Sequence, residues 1–212
     1  MAYYPVFLEL ADQPCLVIGG GPVAERKVEG LLAVGALVTV ISPALTVRLE
    51  ELAREGRIRH VEREYRPGDL AGHRLTFAAT GDSAVNAAVS REGRERGVWV
   101  NAADDPANCD FILPSVLRRG ELAVAVATAG STPALSRVIR EELEFHFTAD
   151  YTMLVQVAAE VRRELRQRGL SLNGETWRAT LVDRDLRRLL MEGRREEAKA
   201  CLLERLQTGI CR

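Results

Sequence analysis

Three clusters of residues have the types and spacing to do chemistry. The first is Gly19-Gly20-Gly21-Pro22-Val23-Ala24, which follows the apolar run Cys15-Leu16-Val17-Ile18. Its spacing, Gly19-x-Gly21-x-x-Ala24, is that of a turn which holds a dinucleotide. Gly19 allows a tight turn. Gly21 lets backbone approach a pyrophosphate with no Cβ in the way. Ala24 is small enough for the following helix to pack on its strand. The first N–H groups of that helix, at its positive dipole end, attract phosphate. A tight turn without a ligand has the same spacing, so the pattern gains weight from the strand before it and the helix after it. The second cluster is Asp104-Asp105, an adjacent carboxylate pair after the apolar run Val98-Trp99-Val100-Asn101. A carboxylate there can remove a proton or hold a cationic group. Asp-Asp-Pro equally makes a turn or caps a helix. The third is Thr128-Ala129-Gly130-Ser131-Thr132-Pro133. Ser131, Thr132 and the free N–H groups of the next helix form a candidate anion site. Arg118, Arg119, Arg137 and Arg140, close in sequence, suit carboxylates. A capped amphipathic helix with a solvated basic face explains the same residues and is the better reading of them alone. The Thr128 and Ser131 hydroxyls can accept a phosphate group, although no motif demands it.

Positioning these clusters requires alternating strands and helices. Leu37-Val38-Thr39-Val40-Ile41 is nearly all apolar and reads as a parallel strand covered on both faces. Where many dinucleotide folds place an acid for the ribose, this chain has Ser42-Pro43. Ser42 can bond the ribose, or Ser42-Pro43 can cap and start a helix, and both can hold together. Pro22 suits a first helical turn and Gly35 follows that helix as a cap. A helix is expected over 45–55, a strand near a sheet edge over 58–62, a buried strand over 75–79 ending at Thr80-Gly81-Asp82, and a helix over 83–96. Strand and helix alternate to this point, so the expected fold is a doubly wound parallel sheet with ligands at the carboxyl ends of its strands. Four such ends, at 19–22, 42–43, 80–82 and 101–105, should converge. Two strands, over 111–117 and 122–127, are expected around Arg118-Arg119-Gly120-Glu121. Helices are then expected over 133–147, with Thr132 as N-cap and Pro133 in the first turn, and over 151–168, 177–191 and 195–206. The stretch 184–190 reads as an ordinary helix face, with partner binding the less favoured alternative.

Composition narrows the class. The 212 residues are 47% hydrophobic and 28% charged, which suits a globular chain. A net charge of −1 argues against a general nucleic-acid binder. No apolar run approaches the ~20 residues needed to cross a bilayer, and no secretory signal is evident. Cys15, Cys109, Cys201 and Cys211 form no C-x-x-C pair and the three histidines are scattered. No metal site is expected, and reduced thiols in a cytoplasmic protein are the default reading.

Several stretches together resemble one family. Val17-Ile18-Gly19-Gly20-Gly21-Pro22-Val23-Ala24-Glu25-Arg26-Lys27, Ala78-Ala79-Thr80, Val100-Asn101-Ala102-Ala103-Asp104, Phe111-Ile112-Leu113-Pro114 and Gly130-Ser131-Thr132-Pro133 follow one another at family-like intervals. The chain resembles precorrin-2 dehydrogenase, the NAD-dependent module of siroheme synthase, strongly over about residues 1–145 and more loosely beyond. The resemblance implies a Rossmann-like NAD-binding domain over 1–113, a dimerisation and substrate segment over 114–145, and a helical C-terminal domain over 146–212. It implies oxidation of precorrin-2 to sirohydrochlorin with reduction of NAD⁺, and in some relatives insertion of Fe²⁺ as a second substrate. It also implies a homodimer whose middle segment exchanges contacts between chains. By position, Asp104 matches the family's catalytic aspartate and Asp105 is its neighbour. Pro22 and Val23 match the pyrophosphate turn, with Gly19, Gly21 and Ala24 around them. Ser42-Pro43-Ala44 matches the loop beside the adenosine, so the missing acid is no departure from this family. Thr80 joins the cofactor side. Ser131, Thr132, Arg118 and Arg137 are the expected contacts to an acidic tetrapyrrole. Thr128 stands where one relative has a regulatory phosphoserine. The C-terminal methyltransferase of some relatives is too large for the residues remaining here, so methylation is expected to be absent.

The alternatives are an NAD-binding sensor whose helical tail recruits a protein partner, and a chelatase that has lost NAD use. The intact Gly19-x-Gly21-x-x-Ala24 turn counts against the second. Dehydrogenase-only and bifunctional relatives share the motifs named here, so the sequence does not decide iron insertion.

Overall fold

A computed structural model of the chain describes residues 3–103 and 105–208. Asp104 and Cys211, both named above, lie outside the described residues. The chain divides between Leu113 and Pro114 into two compact units.

The first unit alternates as its pattern predicts. It runs β1 (Pro14–Ile18), α1 (Pro22–Leu32), β2 (Leu37–Ile41), α2 (Val47–Arg54), β3 (Ile58–Val61), β4 (Leu75–Ala78), α3 (Ser83–Arg96) and β5 (Trp99–Ala102). All five strands are parallel in the order β3-β2-β1-β4-β5, so the unit is a Rossmann-like doubly wound sheet with β3 at one edge. Successive side chains of a strand face opposite sides, which explains the unbroken apolar run of β1. Cys15 and Val17 pack with Ala24, Val28 and Leu31 of α1 and with Leu49 and Leu52 of α2. Leu16 and Ile18 pack on the other side with Val89 of α3.

The chain reverses its direction of travel across the sheet between β3 and β4, and no helix covers that crossover. Charged side chains hold it instead. Arg63 grips Asp69 with two hydrogen bonds of 2.7 Å. Glu92, 7% exposed on α3, accepts from Tyr65 at 2.6 Å, Gly68 N at 3.0 Å and Leu70 N at 3.3 Å. It also pairs with Arg96 at 2.7 Å. Burial alone would push the Glu92 carboxyl up. The bonds from Tyr65, Gly68, Leu70 and Arg96 outweigh burial and hold it below the usual range.

The second unit opens with an antiparallel hairpin, β6 (Ser115–Arg119) and β7 (Leu122–Val126). Gly120 and Glu121 form its two-residue turn, with φ +59° at Gly120. Helices α4 (Pro133–His146), α5 (Asp150–Gln167), α6 (Gly174–Leu181), α7 (Arg184–Met191) and α8 (Arg195–Thr208) follow. Val157, Val161 and Leu165 of α5 share a core with Leu186 and Leu190 of α7 and Ala198, Leu202 and Leu206 of α8. The buried Asp150 carboxylate pairs with Arg187 at 2.6 Å, and that guanidinium lies 3.9 Å from the Tyr151 ring centre.

Four local expectations change. The strand expected from 111 begins at Ser115, because Pro114 has no N–H and Asp110 and Phe111 are tied to β5 instead. Arg118 and Arg119 belong to the strand rather than the turn. The helix expected over 177–191 is two helices, because Asp183 accepts from Asp185 N at 2.9 Å and Leu186 N at 3.0 Å and so starts α7 anew. Ser42-Pro43 does not start α2. Thr46 caps it, accepting from Leu49 N at 3.3 Å. Among the described residues Cys15, Cys109 and Cys201 are free, and no helix is long and apolar enough to cross a membrane.

Because the folded Glu92 carboxyl titrates below its unfolded counterpart, its stabilisation is full above about pH 4.3, the unfolded value, and fades as pH falls through the folded value. Glu92→Gln is expected to cost about 1.5–3 kcal/mol at pH 7. The gap to the wild type should narrow as pH drops below about 4, measured by urea unfolding across a pH series.

Candidate functional site

Three strand ends of the first unit meet through backbone alone. Gly19 sits at φ +114°, and a Cβ there would lie 2.3 Å from Ala79 O. Gly20, which the spacing pattern leaves as an arbitrary residue, is equally constrained: its Cβ would lie 2.0 Å from Ala44 O and 2.8 Å from Ser42 Oγ. Gly19 N donates to Ile41 O at 2.9 Å, Ala79 N to Ile18 O at 2.8 Å, and Thr46 N to Gly20 O at 2.9 Å. Thr46 also donates its hydroxyl to Glu25 of α1. The glycine turn, the loop after β2 and the loop after β4 are thereby locked together at the carboxyl end of the sheet. This is the switch point of a doubly wound fold.

Gly21 is different. Nothing lies within 4 Å of a Cβ built on it. It occupies the N-cap position of α1 in extended conformation, φ −84° and ψ −175°, and no side chain caps the helix. Pro22 follows in the first turn, Val23 is half-buried, and Ala24 is fully buried against the sheet. The open approach to Gly21 and the uncapped helix start fit a pyrophosphate.

Ser42 is buried, and its hydroxyl donates to Ala44 O at 2.7 Å. His60 Nε2 lies 2.9 Å from Ser42 O. The Ser42 proton is therefore engaged inside the loop, while Pro43 and Ala44 are exposed. A shallow pocket of about 330 Å³ is lined by Pro43, Ala44, Leu45, Arg54, His60 and Glu62, among others. Thr80 is tied to Asn86, a buried residue of α3 that the sequence reading missed. The Thr80 hydroxyl lies 2.8 Å from Asn86 Oδ1 and 3.0 Å from Asp82 O, and its single proton serves one at a time. Asn86 Nδ2 returns a bond to Thr80 O at 3.2 Å. Asp82 caps α3 through Ala84 N at 2.8 Å and Val85 N at 3.3 Å.

The fourth strand end, after β5, returns along the strand that carries it. Ala103 N donates to Ala78 O at 2.8 Å, and Asp110 N to Val100 O at 2.8 Å. Val100 N donates to Asp110 Oδ2 at 2.8 Å and Asn101 Nδ2 to Phe111 O at 2.9 Å. Asp105 accepts from Asn108 Nδ2 at 2.7 Å. The ring of Phe111 meets that of Phe77 edge-on at 5.7 Å, and Lys27 of α1 lies 5.4 Å from the Phe77 centre.

In the second unit Thr128 organises the turn before α4. Its hydroxyl accepts from Thr132 N at 3.2 Å and lies 3.0 Å from Thr132 O and 3.2 Å from the Ser136 hydroxyl. Ser131 donates to Thr128 O at 2.6 Å. Thr132 holds the N-cap position but makes no side-chain cap bond, contrary to expectation, because its φ of −148° and ψ of 80° depart from capping geometry. Ser131, Thr132, Arg118 and Arg137 are all exposed on this unit. Arg119 donates to Phe147 O at 2.8 Å, and Arg140 pairs with Glu141 and Glu144, so both have structural partners.

The siroheme synthase of Methylobacillus flagellatus is 46% identical over 168 residues, 79% of this chain and 36% of that protein. The siroheme synthase of Methylococcus capsulatus is 41% identical over 206 residues, 96% of this chain and 43% of that protein. The chain thus spans less than half the length of these curated relatives. The solved structure of SirC, precorrin-2 dehydrogenase, is 26% identical, with a TM-score of 0.73 over 97% of this chain and 100% of that one. The family described as "Putative NAD(P)-binding" matches residues 6–115. That span holds the glycine turn and all four strand-end loops, and the chain belongs to this NAD(P)-binding family.

Proposed function

We propose that the chain catalyses the NAD-dependent dehydrogenation of precorrin-2 to sirohydrochlorin in siroheme biosynthesis, as a cytoplasmic homodimer. The observation that carries this reading is the whole-length similarity to SirC, precorrin-2 dehydrogenase. It is supported by a glycine turn whose one open position, Gly21, faces an uncapped helix start.

In this reading Gly19, Gly21, Pro22, Val23 and Ala24 hold the pyrophosphate, while Ser42, Pro43 and Ala44 border the adenosine. Thr80 and Asn86 keep the loop after β4 in shape. When bound, NAD⁺ supplies the hydride acceptor. The protein's own tasks are to orient the macrocycle and to take the proton released as precorrin-2 and NAD⁺ become sirohydrochlorin and NADH. Asp104 is the general base. Arg118, Arg137, Ser131 and Thr132 receive the substrate's carboxylate arms, and residues 114–145 form the dimerisation and substrate segment, with 146–212 as a helical domain beside it. The relatives named siroheme synthase favour a second activity, insertion of Fe²⁺ as substrate into sirohydrochlorin. Among the described residues no three His, Cys, Asp or Glu side chains are gathered as a resident metal site requires.

NADH formation from precorrin-2 and NAD⁺, followed by its absorbance, tests the reading. Folded protein that binds NAD⁺ without turnover would favour the sensor. Sirohydrochlorin with Fe²⁺, followed against a no-enzyme control, tests insertion. Asp104→Asn is expected to lower kcat by about 10²–10⁴-fold while NAD⁺ binding stays near wild type.

Two neighbouring glycines should separate fold from cofactor. Gly21→Ala meets no protein atom, so its Tm should stay near wild type, while NAD⁺ affinity falls by about tenfold or more as the methyl blocks the pyrophosphate. Gly20→Ala forces a methyl onto Ala44 O and should cost about 1–3 kcal/mol of stability even without NAD⁺. Calorimetric titration and thermal unfolding of both variants check the contrast.

A further inference from the structure

We propose that Cys109 is a positioning residue whose thiol ties shut the loop after β5, the loop that carries the candidate general base. The inference rests on the dehydrogenase reading above.

The excursion over 103–109 leaves and rejoins β5 at fixed points. Ala103 N bonds to Ala78 O as it leaves, and Asp110 and Phe111 are bonded to Val100 and Asn101 as it returns. Between those points the backbone bonds from Asp105 N to Ala102 O and from Cys109 N to Pro106 O are long, at 3.4 Å, and Asn108 N donates to Asp105 O at 3.1 Å. Arg94 reaches in from α3 to Ala107 O at 3.1 Å, holding the outer side. The inner side is held by Cys109. Its Sγ lies 3.1 Å from Ala102 O, at the last residue of β5, and 3.3 Å from Asp105 O, inside the loop. Asn101 Nδ2 donates to the same sulfur at 3.5 Å. The single thiol proton serves one carbonyl at a time, and the sulfur stands between the strand end and the residue next in sequence to Asp104.

The thiol suits this task at neutral pH. Burial pushes it up from its usual value, with Asp105 and Asp110 adding to the effect, against the opposing influence of Ala102 backbone and of Lys27. It therefore stays protonated and able to donate. The same carbonyls accept from loop backbone, Asp105 N to Ala102 O at 3.4 Å and Asn108 N to Asp105 O at 3.1 Å, and among the described residues the Cys109 thiol is the side-chain donor within reach of both. Losing the tie frees the loop to drift, and a displacement of about 1 Å at a reacting group is enough to cost about 10²-fold in rate.

The test compares Cys109→Ala, which removes the donor, with Cys109→Ser, which keeps one. Cys109→Ala is expected to lower kcat for precorrin-2 dehydrogenation by about tenfold or more, with KM for NAD⁺ and Tm near wild type, and Cys109→Ser to restore most of the loss. Without any substrate, amide hydrogen exchange over residues 103–109 should quicken in Cys109→Ala alone. Wild-type kcat in Cys109→Ala, a Cys109→Ser variant no better than Cys109→Ala, or unchanged exchange over 103–109 would each overturn the proposal. A wild-type protein that forms no NADH overturns the dehydrogenase reading and the catalytic purpose of the tie, while the exchange data still accept or reject the tie itself.

Discussion

The close approach of Gly19 and Gly20 to two carbonyl oxygens is the constraint on which the first unit's site depends. Ala79 O and Ala44 O occupy the space where side chains would begin. Backbone therefore packs on backbone, and three loops that are distant in sequence become one surface. The backbone hydrogen bonds of Gly19 N, Ala79 N and Thr46 N then hold that surface together. A site built in this way is stiff before a ligand arrives, which lowers the entropy lost on binding.

Around this junction, side chains serve mainly to hold loops in shape. Asn86 reads both ends of Thr80, Ser42 closes on Ala44, and Glu92 gathers the crossover between β3 and β4. Each is buried and each satisfies backbone groups that would otherwise be stranded. The polar residues nearest the strand ends are thus largely committed to the protein. What remains open is the approach to Gly21 and the exposed edge formed by Pro43 and Ala44.

The second unit relies on different devices. A hairpin with a glycine turn leads to helices whose core is a leucine and valine seam shared by α5, α7 and α8. Its buried charge, Asp150, is offset by Arg187, which also covers the Tyr151 ring. The turn before α4 is closed by the Thr128 hydroxyl rather than by a conventional cap. Ser131 and Thr132 consequently stay exposed at the head of that helix.

The sequence by itself determined the parallel α/β unit, the order of its elements and the place of the glycine turn. Those features follow from hydrophobic period and from glycine and proline chemistry, which act over a few residues. Residues such as Gly19, Gly21 and Ala24 were legible because their roles are local to one turn and one helix. Tertiary structure decided which segments meet. Gly20 was an unremarked position until Ala44 arrived against it, and Asn86 was one more helix residue until Thr80 faced it. Local chemistry also overrode pattern in places, as where Asp183 divided an apparently continuous helix and Pro114 delayed a strand. Cys109 shows the same limit. A lone cysteine carries no signal in the chain, and its purpose emerges only where the loop folds its sulfur back onto the carbonyl of Ala102.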